Sequence, residues 1–204
     1  MNKKREERLQ TLLQTDQPLW DAGMCFAGMD EAGRGPLAGN VVAACVVMPP
    51  FPILEWVDDS KKLSPARRDK VFDEILQTAV FVGIGQADPE EIDRINILEA
   101  TKNAFRRAAQ GAPASLFLLD ALEGLGLPGK ERGIIHGDAL CYSIAAASIV
   151  AKVTRDRQLI ELDRQYPGYG FAQHKGYGTA QHIQALKALG PCPAHRRSFI
   201  GHFV

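Results

Sequence analysis

Residues 28–39 read Gly28-Met-Asp-Glu-Ala-Gly-Arg-Gly-Pro-Leu-Ala-Gly39, a strand end followed by a glycine-rich turn. It begins inside an apolar, strand-like run, Met24–Asp30, and leads to a second one, Val41–Met48, rich in Val and short of charge. The glycine-rich segment between them predicts a turn, hence an antiparallel pair. Asp30 and Glu31 close the first strand at that turn, and acids at strand ends in an α/β protein sit where ligands bind. Neighbours in an extended strand point to opposite faces, so Glu31 joins Asp30 only if the chain bends there.

Working outward, residues 3–14 read as a short charged helix with Leu9, Leu12 and Leu13 on one side. Beyond the second strand, Pro49, Pro50 and Pro52 stop the pairing. Ser64 as N-cap and Pro65 at the first helical position open a helix to about Thr78. Val80–Gln86 is a third strand, and Asp88-Pro89-Glu90-Glu91 starts a helix to about Gln110. Leu116–Leu119 is short, continuously apolar and ends in Asp120, the pattern of a strand buried on both faces. From Asp138 to about Arg164 runs one long helical pattern, small-sided in its first half, as close packing on a sheet requires. A loop of Gly, Tyr and Lys, a helix near Thr179–Leu189 and a Pro-rich tail complete the chain. Three early strands followed by strand–helix alternation predict a mixed sheet with helices on its faces.

The chain has 204 residues, with 24 Lys+Arg, 24 Asp+Glu and a formal net charge of zero. That excludes a disordered or collagen-like chain and argues against a blanket electrostatic binder of nucleic acid or membrane. The charge is unevenly placed: residues 1–129 carry 14 basic and 19 acidic side chains, and residues 130–204 carry 10 and 5, with all five His. Such a balance can hide an acidic pocket beside a basic face. Four Cys without a CxxC pair read as reduced, cytosolic thiols, with Cys25, Cys45 and Cys141 as core residues. Neither a secretory signal nor a membrane span is legible, and a cytoplasmic protein is expected.

Asp30, Glu31, Asp120 and Asp138 are the acids at strand ends and helix starts. Singly, each reads as a turn former, loop residue or N-cap. Together on one sheet edge they would repel one another, and such a cluster makes sense if divalent cations neutralise it. Oxygen ligands without His or Cys point to Mg²⁺ or Mn²⁺. Gly33-Arg34-Gly35 lacks the Lys-Ser/Thr of a nucleotide loop; it reads either as a hairpin turn or as a close backbone approach to a ligand, with Arg34 against phosphate or sugar. Asp59–Ser64 and Gln173–Thr179 are further polar clusters, the second with the basic and aromatic composition of a nucleic-acid-contacting loop. Arg155, Arg157, Arg196 and Arg197 would add charge for a phosphate backbone. Cys192 and His195 have a metal-like spacing without a second pair, so zinc is not expected.

These segments resemble the type 2 ribonuclease H family, in its bacterial ribonuclease HII branch. The resemblance is carried by residues 28–39, by Asp59-Ser-Lys-Lys-Leu-Ser64, by Gly137-Asp138 with Ser143–Asp156, by His174-Lys-Gly-Tyr-Gly-Thr179 and by Gly190–Phe199. It implies an RNase H-like fold: a central five-stranded mixed sheet with helices on both faces and a C-terminal helical extension. The expected division is an N-terminal helical segment over 1–22, a catalytic domain over 23–166, and a substrate-contacting loop, helix and tail over 167–204. It implies cleavage of RNA in RNA–DNA hybrids and at ribonucleotides embedded in duplex DNA, by a monomer, with two divalent ions held by Asp30, Glu31, Asp120 and Asp138. Gly33, Arg34 and Gly35 fall on the family's 2′-hydroxyl-reading element, Tyr177 on its junction-sensing tyrosine, and Lys61 on a substrate-binding position. His136 departs from the family, which often has Lys there. A DNA-only nuclease of the same fold and a non-catalytic hybrid-binding module are the rival readings; the Gly-Arg-Gly and Tyr177 elements oppose the first, and the four acids oppose the second.

Overall fold

The computed structural model describes residues 3–203. Five strands, β1 (Phe26–Ala32), β2 (Val41–Val47), β3 (Phe81–Ala87), β4 (Leu116–Asp120) and β5 (Lys130–Ile134), form one sheet in the order β3-β2-β1-β4-β5. β1 pairs antiparallel with β2, and β2 with β3, whereas β1–β4 and β4–β5 are parallel. The expected five-stranded mixed sheet is therefore present. Because β1, β4 and β5 run the same way, their carboxyl ends share one edge of the sheet, where Asp30, Asp120 and the segment carrying Asp138 emerge.

The helices are α1 (Lys3–Asp21), α2 (Pro65–Thr78), α3 (Pro89–Ile95), α4 (Ile97–Ala108), α5 (Gly137–Leu140), α6 (Tyr142–Gln165), α7 (Phe171–His174), α8 (Ala180–Leu189) and α9 (Arg197–Ile200). Strand alternation divides the core into two layers. Ala44 and Val46 pack with α1, α2 and α6, while Met29, Ala43 and Cys45 pack with α3 and α4. On β1 the α6 layer receives Gly28 and Asp30. A side-chain carbon at Gly28 would run into the backbone of Ser143, so β1 and α6 lie almost backbone to backbone, as the small residues at the start of α6 allow.

Two helices expected to be continuous are broken. The pattern from Asp88 to Gln110 divides at Asn96, which takes φ 69° and caps α4 by accepting from the amides of Leu98 and Glu99; Asn tolerates that left-handed backbone better than most residues. The pattern from Asp138 divides at Cys141 because Asp16 of α1 caps α6, its carboxylate accepting from the amides of Tyr142 and Ser143 at 2.9 Å each. α1 also runs past residue 14 to Asp21, with Pro18 inside it. Cys45, Cys141 and Cys192 are buried, whereas Cys25, expected in the core, is exposed. No helix among the described residues is long and apolar enough to cross a membrane.

Candidate active site

A cleft of about 370 Å³ opens at the shared strand edge, lined by Asp30, Glu31, Gly33, Ser60, Lys61, Asp120, Ser148, Lys152, Arg155 and Tyr177. β1 delivers Asp30, β4 delivers Asp120 at its last residue, and the turn after β5 delivers Asp138 in α5. Carboxylate oxygens of these three lie within 4.8 Å of one another. Glu31 borders the same cleft but stands outside that group. Its carboxylate is drawn to Arg34, 3.5 Å away, and its other oxygen, Oε2, is buried without a partner. The strand continues through Ala32, so regular alternation separates Asp30 from Glu31.

Burial, with the charges of Glu31 and Asp120 added to it, holds the Asp30 carboxyl well above the usual carboxylate range. Burial likewise raises Glu31, against the opposing pull of Arg34. Asp120 is raised by burial and by Asp138, though it accepts from the Gly137 amide at 2.8 Å. Lys61 reaches Asp138 at 3.1 Å. Burial alone would lower the Lys61 ammonium, but the bond to Asp138 and the charges of Asp138, Asp59 and Asp30 outweigh it and raise it. The Lys61 side chain is otherwise largely exposed, so this pair is a weak tether that a stronger cation can displace.

Clustered carboxylates, a buried carboxylate oxygen lacking a donor and the absence of any imidazole or thiolate in the cluster fit hard divalent cations. Asp30, Asp120 and Asp138 would hold such ions directly, with Glu31 Oε2 available beside them.

The loop after β1 is held by two buried arginines. Arg196 donates to the carbonyls of Gly33 (2.6 Å), Arg34 (2.9 Å), Pro36 (2.8 Å) and Gly39 (2.8 Å). Arg155 donates to Ala38, Asn40 and Lys175, each at 3.0 Å. Burial pushes Arg155 down to about 10 and Arg196 to about 9, so both stay cationic at neutral pH. These two side chains were expected to meet phosphate; the structure buries them as loop clamps instead, and of the four only Arg157 and Arg197 are exposed. With the loop's carbonyls committed inward, the amides of Arg34 and Gly35 donate to no protein group among the described residues.

Tyr177 stands next to this loop, 49% exposed. A Cβ added to Gly35 would lie 3.8 Å from Tyr177 Cε1. Gly176 makes the approach possible: it takes φ 79°, its carbonyl accepts from Leu37, and a Cβ there would come within 2.5 Å of the Ala38 oxygen. Ser60, from the Asp59–Ser64 cluster, lines the cleft, as do Lys152 and Ser148, which the sequence did not single out as site residues. Lys152 bonds Asp156 one helical turn away, at 2.6 Å, so in sequence it looks like an ordinary surface pair. His136, the departure from the family, is exposed at φ 58° just before Gly137.

The acids line the cleft together with Lys61, Lys152 and Arg155, a lining suited to metal-dependent chemistry on an anionic substrate, and the sheet order is that of the RNase H-like class. Residues 27–202 match the family model for ribonuclease HII. A ribonuclease HII from Geobacter sulfurreducens is 56% identical over 178 residues, covering 86% of this chain and 82% of that one. The ribonuclease H2 of Pyrococcus horikoshii superposes with a TM-score of 0.71 at 30% identity, covering 86% of this chain and 93% of that one. Bst-RNase HIII, solved in complex with Mn²⁺, shares the fold with a TM-score of 0.68 at 18% identity, over 86% of this chain and 67% of that one. The chain belongs to the ribonuclease HII family. It is an endoribonuclease that cleaves RNA in RNA–DNA hybrids and works with divalent metal ions.

Proposed function

We propose that this enzyme, acting as a cytoplasmic monomer, nicks duplex DNA on the 5′ side of a single embedded ribonucleotide, as well as cleaving longer hybrids, and so clears ribonucleotides during DNA replication and repair. The observation that carries this reading is the placement of Tyr177 beside Gly35, in the cleft that Asp30 and Asp120 also line.

Asp30, Glu31, Asp120 and Asp138 are the catalytic and metal-holding residues, for two Mg²⁺ or Mn²⁺ ions. When bound, such ions activate the attacking water and stabilise the charge on the leaving oxygen. The water oxygen bonds to phosphorus as the P–O3′ bond opposite it breaks. The ribonucleotide keeps the phosphate on its 5′ oxygen, and the upstream nucleotide leaves with a 3′-hydroxyl, the proton that the water gives up balancing the one that the 3′ oxygen takes up. The carboxylates orient this displacement, and the Gly33–Gly35 backbone tests the 2′-hydroxyl, the feature that separates RNA from DNA at a given site. Lys61, released from Asp138, turns to the phosphate. Tyr177 packs its ring on the sugar 3′ of the ribonucleotide, where a deoxyribose offers the more apolar face.

Tyr177→Ala tests the junction reading. Cleavage at a single ribonucleotide should fall far more than duplex binding does, while Tyr177→Phe retains much of the activity. Unchanged cleavage by Tyr177→Ala would remove the junction sensor from the account.

A further inference from the structure

Beneath the Tyr177 loop lies a hydrogen-bonded chain of buried histidines that do not themselves line the cleft. His182 Nδ1 is 2.9 Å from the Tyr177 carbonyl oxygen, and His182 Nε2 is 3.1 Å from His195 Nε2. At the far end the Cys192 amide donates to His195 Nδ1 at 3.0 Å. Both rings are buried.

The ends fix the protons. A carbonyl only accepts, so His182 carries its proton on Nδ1 and, as a neutral ring, presents a bare Nε2. That bare nitrogen needs a donor, which places the His195 proton on Nε2 and leaves its Nδ1 bare. An amide N–H only donates, and the Cys192 amide faces that bare Nδ1. The Cys192 carbonyl oxygen also lies 3.3 Å from that Nδ1 but already accepts from the His195 amide at 3.0 Å, so one arrangement of protons serves both ends. A second proton on His182 would set two N–H groups against each other across 3.1 Å, and one on His195 would set its Nδ1–H against the Cys192 amide at 3.0 Å. Burial supports the neutral forms, lowering His182 and taking His195 down to about 4. His174 braces the chain from the side. Its ring stacks on His182 at 4.3 Å, its Nδ1 accepts from the Gly176 amide and its Nε2 donates to the Tyr169 carbonyl.

We infer that His182 and His195 are positioning residues for Tyr177, fixing its backbone through this chain and so holding its ring over Gly35. The inference rests on the reading of Tyr177 as the junction sensor. The Tyr177 ring is half-exposed, and the bonds of its own loop, from its amide to the His174 carbonyl at 3.0 Å and from the Thr179 amide to its carbonyl at 2.8 Å, are joined by the His182 contact that ties the loop to α8 and to His195; a segment ordered in advance loses less conformational entropy on binding. An ordinary packing role would be met by an apolar side chain, since Phe171 already packs edge-on to His182 with centroids 5.5 Å apart. The chain is instead polar along its length and ends on the one residue of the loop that faces the cleft.

The test compares His182→Leu and His182→Asn, each alone and with Tyr177→Ala, by kcat/KM on a single-ribonucleotide duplex and on a uniform RNA–DNA hybrid. His182→Leu should cost roughly tenfold more on the single-ribonucleotide substrate than on the hybrid, in line with a misplaced positioning group. His182→Asn, whose amide N–H reaches where Nδ1–H stood, should recover most of that loss. In the Tyr177→Ala background, His182→Leu should add no further selective loss. Equal losses on both substrates, or a selective loss that adds to that of Tyr177→Ala, would overturn the inference while leaving the junction reading standing. No effect of Tyr177→Ala itself would overturn the junction reading and the inference with it. Imidazole ¹⁵N spectra of the unaltered protein give a check independent of any variant's folding: protons on His182 Nδ1 and His195 Nε2 support the chain, and any other tautomer pair overturns it.

Discussion

Arg196 donates to the Gly33 carbonyl at 2.6 Å, joining residues 163 positions apart. The same guanidinium takes the carbonyls of Arg34, Pro36 and Gly39. The glycine loop beside the acidic cluster is therefore shaped by the tail of the chain. Arg196→Lys replaces a planar fork by a point donor that cannot span four carbonyls. It should destabilise the protein by on the order of 3 kcal/mol, because buried carbonyls lose their donors, and raise KM more than it lowers kcat. An unchanged melting temperature would show that the loop holds its own shape.

Asp120→Asn removes one charge from a crowded group. The Asp120 carboxyl is raised above its ordinary value, so its ionisation weakens the metal-free fold as pH rises through that range. The variant should melt at the same temperature or slightly higher without metal, and turn over hardly at all. Mn²⁺ should raise the melting temperature of the unaltered enzyme, by linkage worth about 2.7 kcal/mol at a hundredfold excess over Kd, and raise that of the variant less. A large loss of metal-free stability would assign Asp120 a structural role instead.

Asp16→Ala should cost about 1–2 kcal/mol through loss of the cap on α6. α1 also holds the segment around Asp138, since Arg8 donates to the Ala139 carbonyl and Thr15 to that of Leu140. The variant should therefore need more Mg²⁺ for half-maximal activity. Thermal melts and a metal titration decide this, and unaltered values in both would dismiss the coupling.

What could be read from the sequence was what local pattern carries. β1 to β4 announced themselves by apolar runs, and the acids by their place at strand ends. β5 did not, because Lys130-Glu-Arg-Gly-Ile134 is a short edge strand whose charged residues resemble a loop. The break before α6 was hidden because its cap comes from Asp16, 126 residues before Tyr142. Arg155 and Arg196 were misread for the same reason: composition shows a cation, and only tertiary structure shows that it is buried on carbonyls. How Glu31 stands to Asp30 was not legible, because alternation along the strand separates neighbours and only the tertiary structure shows both bordering one cleft, with Glu31 beside Arg34.

His195 predicts a pH dependence of stability. Its folded value of about 4 lies below the ordinary 6.5, so the unfolded chain takes up the proton first as pH falls. The stability from the neutral ring is full above about pH 6.5 and lost between there and about 4. The groups facing it, His182, His174, Arg197 and the Cys192 thiol, add no negative charge in that window. His195→Gln cannot titrate, and its melting temperature should fall less steeply across the window. Parallel curves for the two proteins would contradict the buried neutral histidine.

The proposed reaction is a displacement by water at the acidic cluster, on the 5′ side of a ribonucleotide. The most direct measurement is product analysis after cutting a DNA duplex that carries one ribonucleotide, with Mg²⁺ or Mn²⁺ and with EDTA. One nick 5′ of the ribonucleotide is expected, with 3′-hydroxyl and 5′-phosphate ends, and no reaction in EDTA. A 2′,3′-cyclic phosphate product would contradict it, since the 2′-hydroxyl would then be the nucleophile.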